Sequence, residues 1–303
     1  MAFDDRSEPV VDEQLLRIRT GDGYELGAIL YSARTRAAPR RAVVLHGGAG
    51  IPAQRYRRFA RFLALSGMPV LTYDFRGVGL SRPLTLRGFR SVIEDWAEHD
   101  CSAAIGWLRE RFPQAELIGI AHSLGALLFG GAHNAAEQAR LILIGAHTGY
   151  YGDYRPLYRL PMAALWHGLM PVLTRLIGYF PGRRLGLGDD ISAGVALQWA
   201  SRSSSDLRPA GASPDDERTR RLLDRCAGLE RPALMIRFSD DAFATVAGMR
   251  RFLAYYPRLS PQYMVFAPAD GGVRKIGHFG FFSRRAGPAL WPQLVARLQP
   301  SEH

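Results

Sequence analysis

Short apolar runs alternate with helical faces along most of this chain, and no other feature of the sequence restricts the fold as much. The runs Ala42–Leu45, Pro69–Phe75, Ala115–Ala121, Leu141–Ala146, Ala233–Phe238 and Tyr263–Ala267 read as strands, several of them short and continuously apolar as in a buried sheet. Between them lie Arg55–Leu65, Ser91–Phe112, Leu124–His133, Val246–Tyr255 and Pro288–Leu298, which read as helices; Phe59, Phe62 and Leu63 form the apolar face of the first. Strands that alternate with helices predict an α/β fold, a mostly parallel sheet flanked by helices. Ahead of it, Gln14–Thr20, the turn residues Gly21-Asp22-Gly23 and Tyr24–Tyr31 read as a hairpin.

The alternation stops at about Thr148 and resumes after Glu230. Residues 1–147 and 231–303 are therefore assigned to one α/β core and 148–230 to a helical insertion, in which Ser203–Pro214 is the most polar, loop-like stretch. With 47% hydrophobic residues, the chain has the apolar material for a core of that size. It has no run of 18 uninterrupted apolar residues, so no membrane span is expected. The acidic N-terminal stretch lacks the apolar segment of a signal peptide, and a cytoplasmic location is expected.

The net charge of +11 is almost all arginine, since Lys275 is the only lysine. The arginines are spread through every segment without a reader motif, so a nucleic-acid partner is not expected, while attraction to anionic substrates or surfaces stays open. Two cysteines, Cys101 and Cys226, do not imply a disulfide framework. No Cys/His cluster, HExxH or EF-hand pattern occurs, and neither metal nor cofactor is expected.

The strongest chemical signal is Glu116-Leu-Ile-Gly-Ile-Ala121-His122-Ser123-Leu124-Gly125. It places Ser123 between a predicted strand and a predicted helix, with small residues two positions to either side. A sharp strand-to-helix turn needs small neighbours, and the helix N-terminus favours developing negative charge. The segment resembles the nucleophile elbow G-x-S-x-G of the α/β-hydrolases, with Ala121 in place of the first glycine, and the likeness extends over nearly the whole chain. The ending Gly277-His278-Phe279-Gly280-Phe281-Phe282 is similar to that of capped bacterial members, serine aminopeptidase-like and esterase-like.

That resemblance implies Ser123 as nucleophile, followed in chain order by an acid and a histidine. His278, between the last strand and the last helix, is the implied base, with His147 as rival. Asp241 falls on the acid position of Ser239-Asp240-Asp241, and Asp240 is the fallback. The implied oxyanion hole takes one N–H from Leu124 and one from the glycine loop His46-Gly47-Gly48, at Gly48 or alternatively Ala49. Asp74 and Arg76 are expected to organise a turn.

In the insertion, where the family usually places a helical cap, Trp166, Trp199, Tyr150 and Tyr151 are candidate pocket residues or the insertion's own core. The mostly apolar Leu157–Phe180 also reads as a membrane-surface helix, which Pro161 and Pro171 are expected to break. The expected function is cleavage of a carboxylic ester of a small-molecule acyl substrate through an acyl-serine. The same triad serves acyltransferases and peptidases, and a non-enzymatic binding protein on this fold is the alternative from another class.

Overall fold

A computed structural model describes residues 10–34, 37–201 and 217–298; the loop-like stretch Ser203–Pro214 lies outside them. The chain begins with the expected hairpin: β1 (Val11–Arg19) and β2 (Glu25–Ala33) pair antiparallel around a turn in which Gly23 takes φ +88°. Then follow β3 (Arg41–His46), α1 (Arg57–Leu65), β4 (Val70–Tyr73) and α2 (Ile93–Asp95). A π turn over Trp96–Cys101 joins α2 to α3 (Ser102–Arg111), and β5 (Glu116–His122), α4 (Leu124–Leu128) and β6 (Gln138–Ile144) complete the first part of the core.

After β6 comes the inserted segment. Helix α5 (Pro156–Ala164), a π turn at Leu165–Leu169 and α6 (Met170–Ile177) run on as one helix from Pro156 to Ile177. The two-residue strands β7 (Tyr179–Phe180) and β8 (Ile191–Ser192) pair around α7 (Gly182–Leu185), and α8 (Ala193–Ala200) follows. After α9 (Glu217–Gly228) the core resumes with β9 (Pro232–Phe238), α10 (Val246–Leu253), β10 (Ser260–Phe266) and α11 (Gly287–Leu298).

The main sheet has the order β1-β2-β4-β3-β5-β6-β9-β10. Only the pairs that involve β2 are antiparallel. Successive side chains of a strand point to opposite faces, and the sequence uses both. Ala42 and Val44 of β3 and Leu117 of β5 enter a layer with Trp96, Ile105, Leu108, Phe129 and Phe252. Val43, Leu45, Ile118 and Ile120 enter the opposite layer with Phe59, Leu63, Trp291 and Leu294. This two-sided burial is why the strands read as continuous apolar runs, and each fully buried leucine or isoleucine in them contributes about 1.5–3 kcal/mol.

Two elements differ from their sequence reading. Helix α4 ends at Leu128, not His133. A Cβ at Gly130 would meet the Tyr256 ring and one at Gly131 would meet Leu222 and Ala97, so the chain tightens and turns where α9, the π turn at Trp96–Cys101 and the segment after α10 pack closely. Pro161 and Pro171, expected to break the inserted helix, do not. Pro171 follows the π turn at Leu165–Leu169, where the usual hydrogen-bond ladder has already shifted.

Asp74 and Arg76 organise the loop after β4. Asp74 accepts from the Ala53 and Leu80 N–H groups at 2.6 and 2.7 Å. Arg76 pairs with the buried Asp100 and with Asp22 at 2.7 and 2.6 Å, and its carbonyl accepts from the Trp96 indole at 3.1 Å. The loops after β3 and β4 are thereby tied together at the carboxyl end of the parallel strands, where open α/β sheets hold their ligands.

Candidate active site

Ser123 joins β5 to α4 at φ +54°, ψ −120°, and among the described residues no other non-glycine has a positive φ. Such a conformation costs about 1–3 kcal/mol and persists only where the surroundings impose it. Here Ser123 N–H is bound to the Ile144 carbonyl at 3.1 Å. A Cβ at Gly125 would collide with the His46 and Gly47 carbonyl oxygens, so the position after Leu124 has to be glycine. Ala121 tolerates a methyl because it is the last-but-one residue of β5, paired with His46 and Leu143, with its side chain in the core.

His278 lies between β10 and α11. Its Nδ1 is 2.7 Å from Asp241 Oδ2, and both side chains are buried. Asp241 turns the chain after β9, and its Oδ1 accepts from Phe243 N–H at 2.8 Å and Ala244 N–H at 3.2 Å. Burial alone would raise this carboxyl, but the His278 hydrogen bond and charge outweigh it and hold Asp241 at about 2. Asp240 has a different task. Its two oxygens accept from the Ile276 and Gly277 N–H groups at 2.8 and 3.0 Å, which ties down the loop that carries His278. The neighbouring acids thus face different partners, and Asp241, the first choice from sequence, is the one beside His278 while the fallback Asp240 is not.

Two further histidines fix this arrangement. His122 Nε2 lies 3.1 Å from the His278 carbonyl, an acceptor, so Nε2 carries the proton. His122 Nδ1 then accepts from the Tyr56 hydroxyl at 3.0 Å, and Tyr56 Oη accepts from Gly48 N–H at 2.8 Å. Burial holds the His122 ring well below the usual histidine range, hence neutral, as this relay requires. The Gly48 N–H, expected to face the substrate, is therefore spent on Tyr56. Ala49, the alternative, lines the cavity with Ser123.

His147, the rival base, lies 3.4 Å from Ser123 Oγ through Nε2. Its Nδ1 accepts from Gly149 N–H at 2.8 Å, so in the neutral ring Nε2 carries the proton. His147 thus presents a donor to Ser123. On His278 the bond from Nδ1 to Asp241 leaves Nε2 as the nitrogen with an open lone pair.

Ser123, His147 and His278 share a cavity of about 610 Å³. Its apolar walls include Met162, Leu165, Trp166 and Trp199 of the insertion and Phe243 and Phe279 of the core. Trp166 and Trp199 meet edge to face at 5.7 Å. Tyr150 and Tyr151, also expected at the pocket, do not line it. Tyr150 lies under the Arg251 guanidinium at 4.7 Å, and Tyr151 packs against His167 at 5.3 Å. Sequence reading missed Tyr56 and Phe243, which have no local motif; only the fold brings them to the site. Among the described residues no group of three or more His, Cys, Asp or Glu is arranged to hold a metal ion.

A family model described as serine aminopeptidase, S33 matches residues 37–215 of the chain. No curated protein matches it in sequence. Its structure is similar to that of an esterase from Pyrococcus furiosus, with a TM-score of 0.57 and 17% identity over 95% of this chain and 90% of the other. A soluble variant of monoglyceride lipase from Saccharomyces cerevisiae, in complex with a substrate analogue, gives a TM-score of 0.57 and 16% identity over 98% and 99%. A lidless α/β serine hydrolase from Xanthomonas campestris gives 0.53 and 15% over 96% and 97%. At these identities the likeness is one of fold.

Proposed function

The chain belongs to the serine aminopeptidase S33 family of α/β-hydrolases, and from that premise we propose that it cleaves a carboxylic ester, or a related acyl bond, through an acyl-Ser123 intermediate. The observation that carries this reading is the strained Ser123 in one cavity with the buried Asp241–His278 pair. In the proposed mechanism Ser123 Oγ turns from His147 to His278, gives its proton to His278 Nε2 and attacks the acyl carbonyl. Asp241 holds the Nδ1–H tautomer and stabilises the imidazolium. His278 then returns the proton to the leaving alcohol, and water repeats the sequence to release the acid.

The tetrahedral oxyanion is assigned to the N–H groups of Leu124, at the start of α4, and Ala49, in place of the Gly48 expected from sequence. The inserted helices are read as a cap whose Met162, Leu165, Trp166 and Trp199 receive an apolar acyl or alcohol group. Esters of graded acyl length, assayed with and without added alcohol, amine or thiol, test this. Release of free acid unaffected by any acceptor is expected; acylated acceptor in place of acid would make the protein an acyltransferase.

His147 Nε2–H is assigned as a donor that steadies the Ser123 hydroxyl before attack and a substrate oxygen after it. His147→Ala is expected to lower kcat by about 10–100-fold, the range of one lost donor short of a full oxyanion-hole deletion. His147→Gln, which keeps a side-chain N–H, is expected to recover part of that. A loss as deep as that of Ser123→Ala, without recovery in glutamine, would make His147 the base.

A further inference from the structure

The helix from Pro156 to Ile177 has an outward face that stays exposed among the described residues. Leu157 is 80% exposed, Leu160 81%, Val172 52% and Leu176 75%. With Ala164 and Gly168 these residues recur at spacings of three or four, one apolar stripe along about 33 Å of helix. The opposite side is engaged. Met162, Leu165 and Trp166 form a wall of the Ser123 cavity, while Met170 and Thr174 are buried, Met170 against Phe180, Ala196 and Ala200. By length and composition this helix, alone among the described residues, could cross a bilayer. Its inner side is so built into the cavity wall that crossing would dismantle the site.

Charge identifies the partner. From Tyr154 to Gly188 the chain carries Arg155, Arg159, Arg175, Arg183 and Arg184 and no Asp or Glu. Arg155 and Arg159 bond to the backbone carbonyls of Ser239 and Tyr154, and among the described residues neither is in an ion pair; Arg183 is paired with Asp189. An apolar stripe in a cationic segment matches a bilayer surface rich in anionic lipid, where acyl chains take the leucines and headgroups the guanidinium groups. A second copy of the chain would set arginines against arginines.

We propose that the outer face of the Pro156–Ile177 helix docks on an anionic phospholipid surface. Its inner face is a wall of the Ser123 cavity, so docking brings that cavity to the lipid and makes acyl lipids the substrate class within reach. The docking depends on the helix alone, and the choice of substrate rests on the acyl-Ser123 reading. The two are separable, because Ser123→Ala removes the chemistry and leaves the helix intact.

Flotation with vesicles of phosphatidylcholine, with and without phosphatidylglycerol, tests the proposal. Wild type and Ser123→Ala are expected to float with the anionic vesicles, weakly or not at all with phosphatidylcholine alone, and to be released by raised salt. The combined variant Leu157→Glu, Leu160→Glu and Leu176→Glu is expected to lose at least tenfold in vesicle binding. Its thermal melting and its turnover of a soluble short-chain ester should stay within twofold of wild type. Failure of the wild type to float at any phosphatidylglycerol content, or flotation unchanged in the glutamate variant, would overturn the proposal. So would a wild-type dimer in solution that the glutamate variant abolishes.

Discussion

Alanine in place of His278 is expected to lower kcat for an ester substrate by about 10⁴- to 10⁶-fold, and Ser123→Ala in the same chain to add almost nothing. The reason lies in the tautomers. Asp241 holds His278 Nδ1, which leaves Nε2 open to take a proton from Ser123. His147 also stands close, 3.4 Å from Ser123 Oγ, but the Gly149 N–H occupies its Nδ1, so its Nε2 arrives already protonated. It therefore does not replace the missing base. Steady-state rates of the two single variants and the double variant measure this. A His278→Ala protein that kept a tenth of its activity would require another base.

The second large effect separates two adjacent acids. Asp241→Asn is expected to cost about 10⁴-fold in kcat and Asp240→Asn less than tenfold. At position 241 the Phe243 and Ala244 N–H groups keep the amide oxygen where Oδ1 now lies. The amide NH₂ then faces His278 Nδ1 and forces the proton onto Nε2, the wrong tautomer for a base. At position 240 both carboxylate oxygens bind backbone N–H groups. An amide there leaves one of them unmatched, a cost in stability of about 1–3 kcal/mol with the reacting groups in place. Comparison of kcat with thermal melting for each variant distinguishes the two. The pH profile carries the same signature. With Asp241 at about 2, it stays ionised from pH 4 upward. In the wild type Asp241 is then expected to add no limb to the kcat/KM profile above pH 4. A two-proton limb would point to a second titrating group.

The fold was legible wherever strands are buried on both faces. Val43, Val44 and Leu45 read as a strand because each has a helical layer to enter. The elbow was legible because its small residues, Ala121 and Gly125, both lie within two positions of Ser123 in one short run. What escaped the sequence depends on partners far along the chain. Gly48 and Ala49 differ only once Tyr56 reaches back to take the Gly48 N–H. Tyr150 and Trp166 are both aromatic residues of the insertion, but Tyr150 lies under Arg251, on α10, and Trp166 faces the cavity. Pro171 would stop an isolated helix, but the π turn just before it lets the helix continue.

The most direct measurement is covalent labelling with a fluorophosphonate, which reacts only with a serine made nucleophilic by its neighbours. Wild type is expected to take up one label, on the peptide that contains Ser123, with the rate falling at least a thousandfold in His278→Ala and to background in Ser123→Ala. Equal labelling of wild type and Ser123→Ala, or no labelling of folded wild type, would contradict the assignment of Ser123 as the nucleophile.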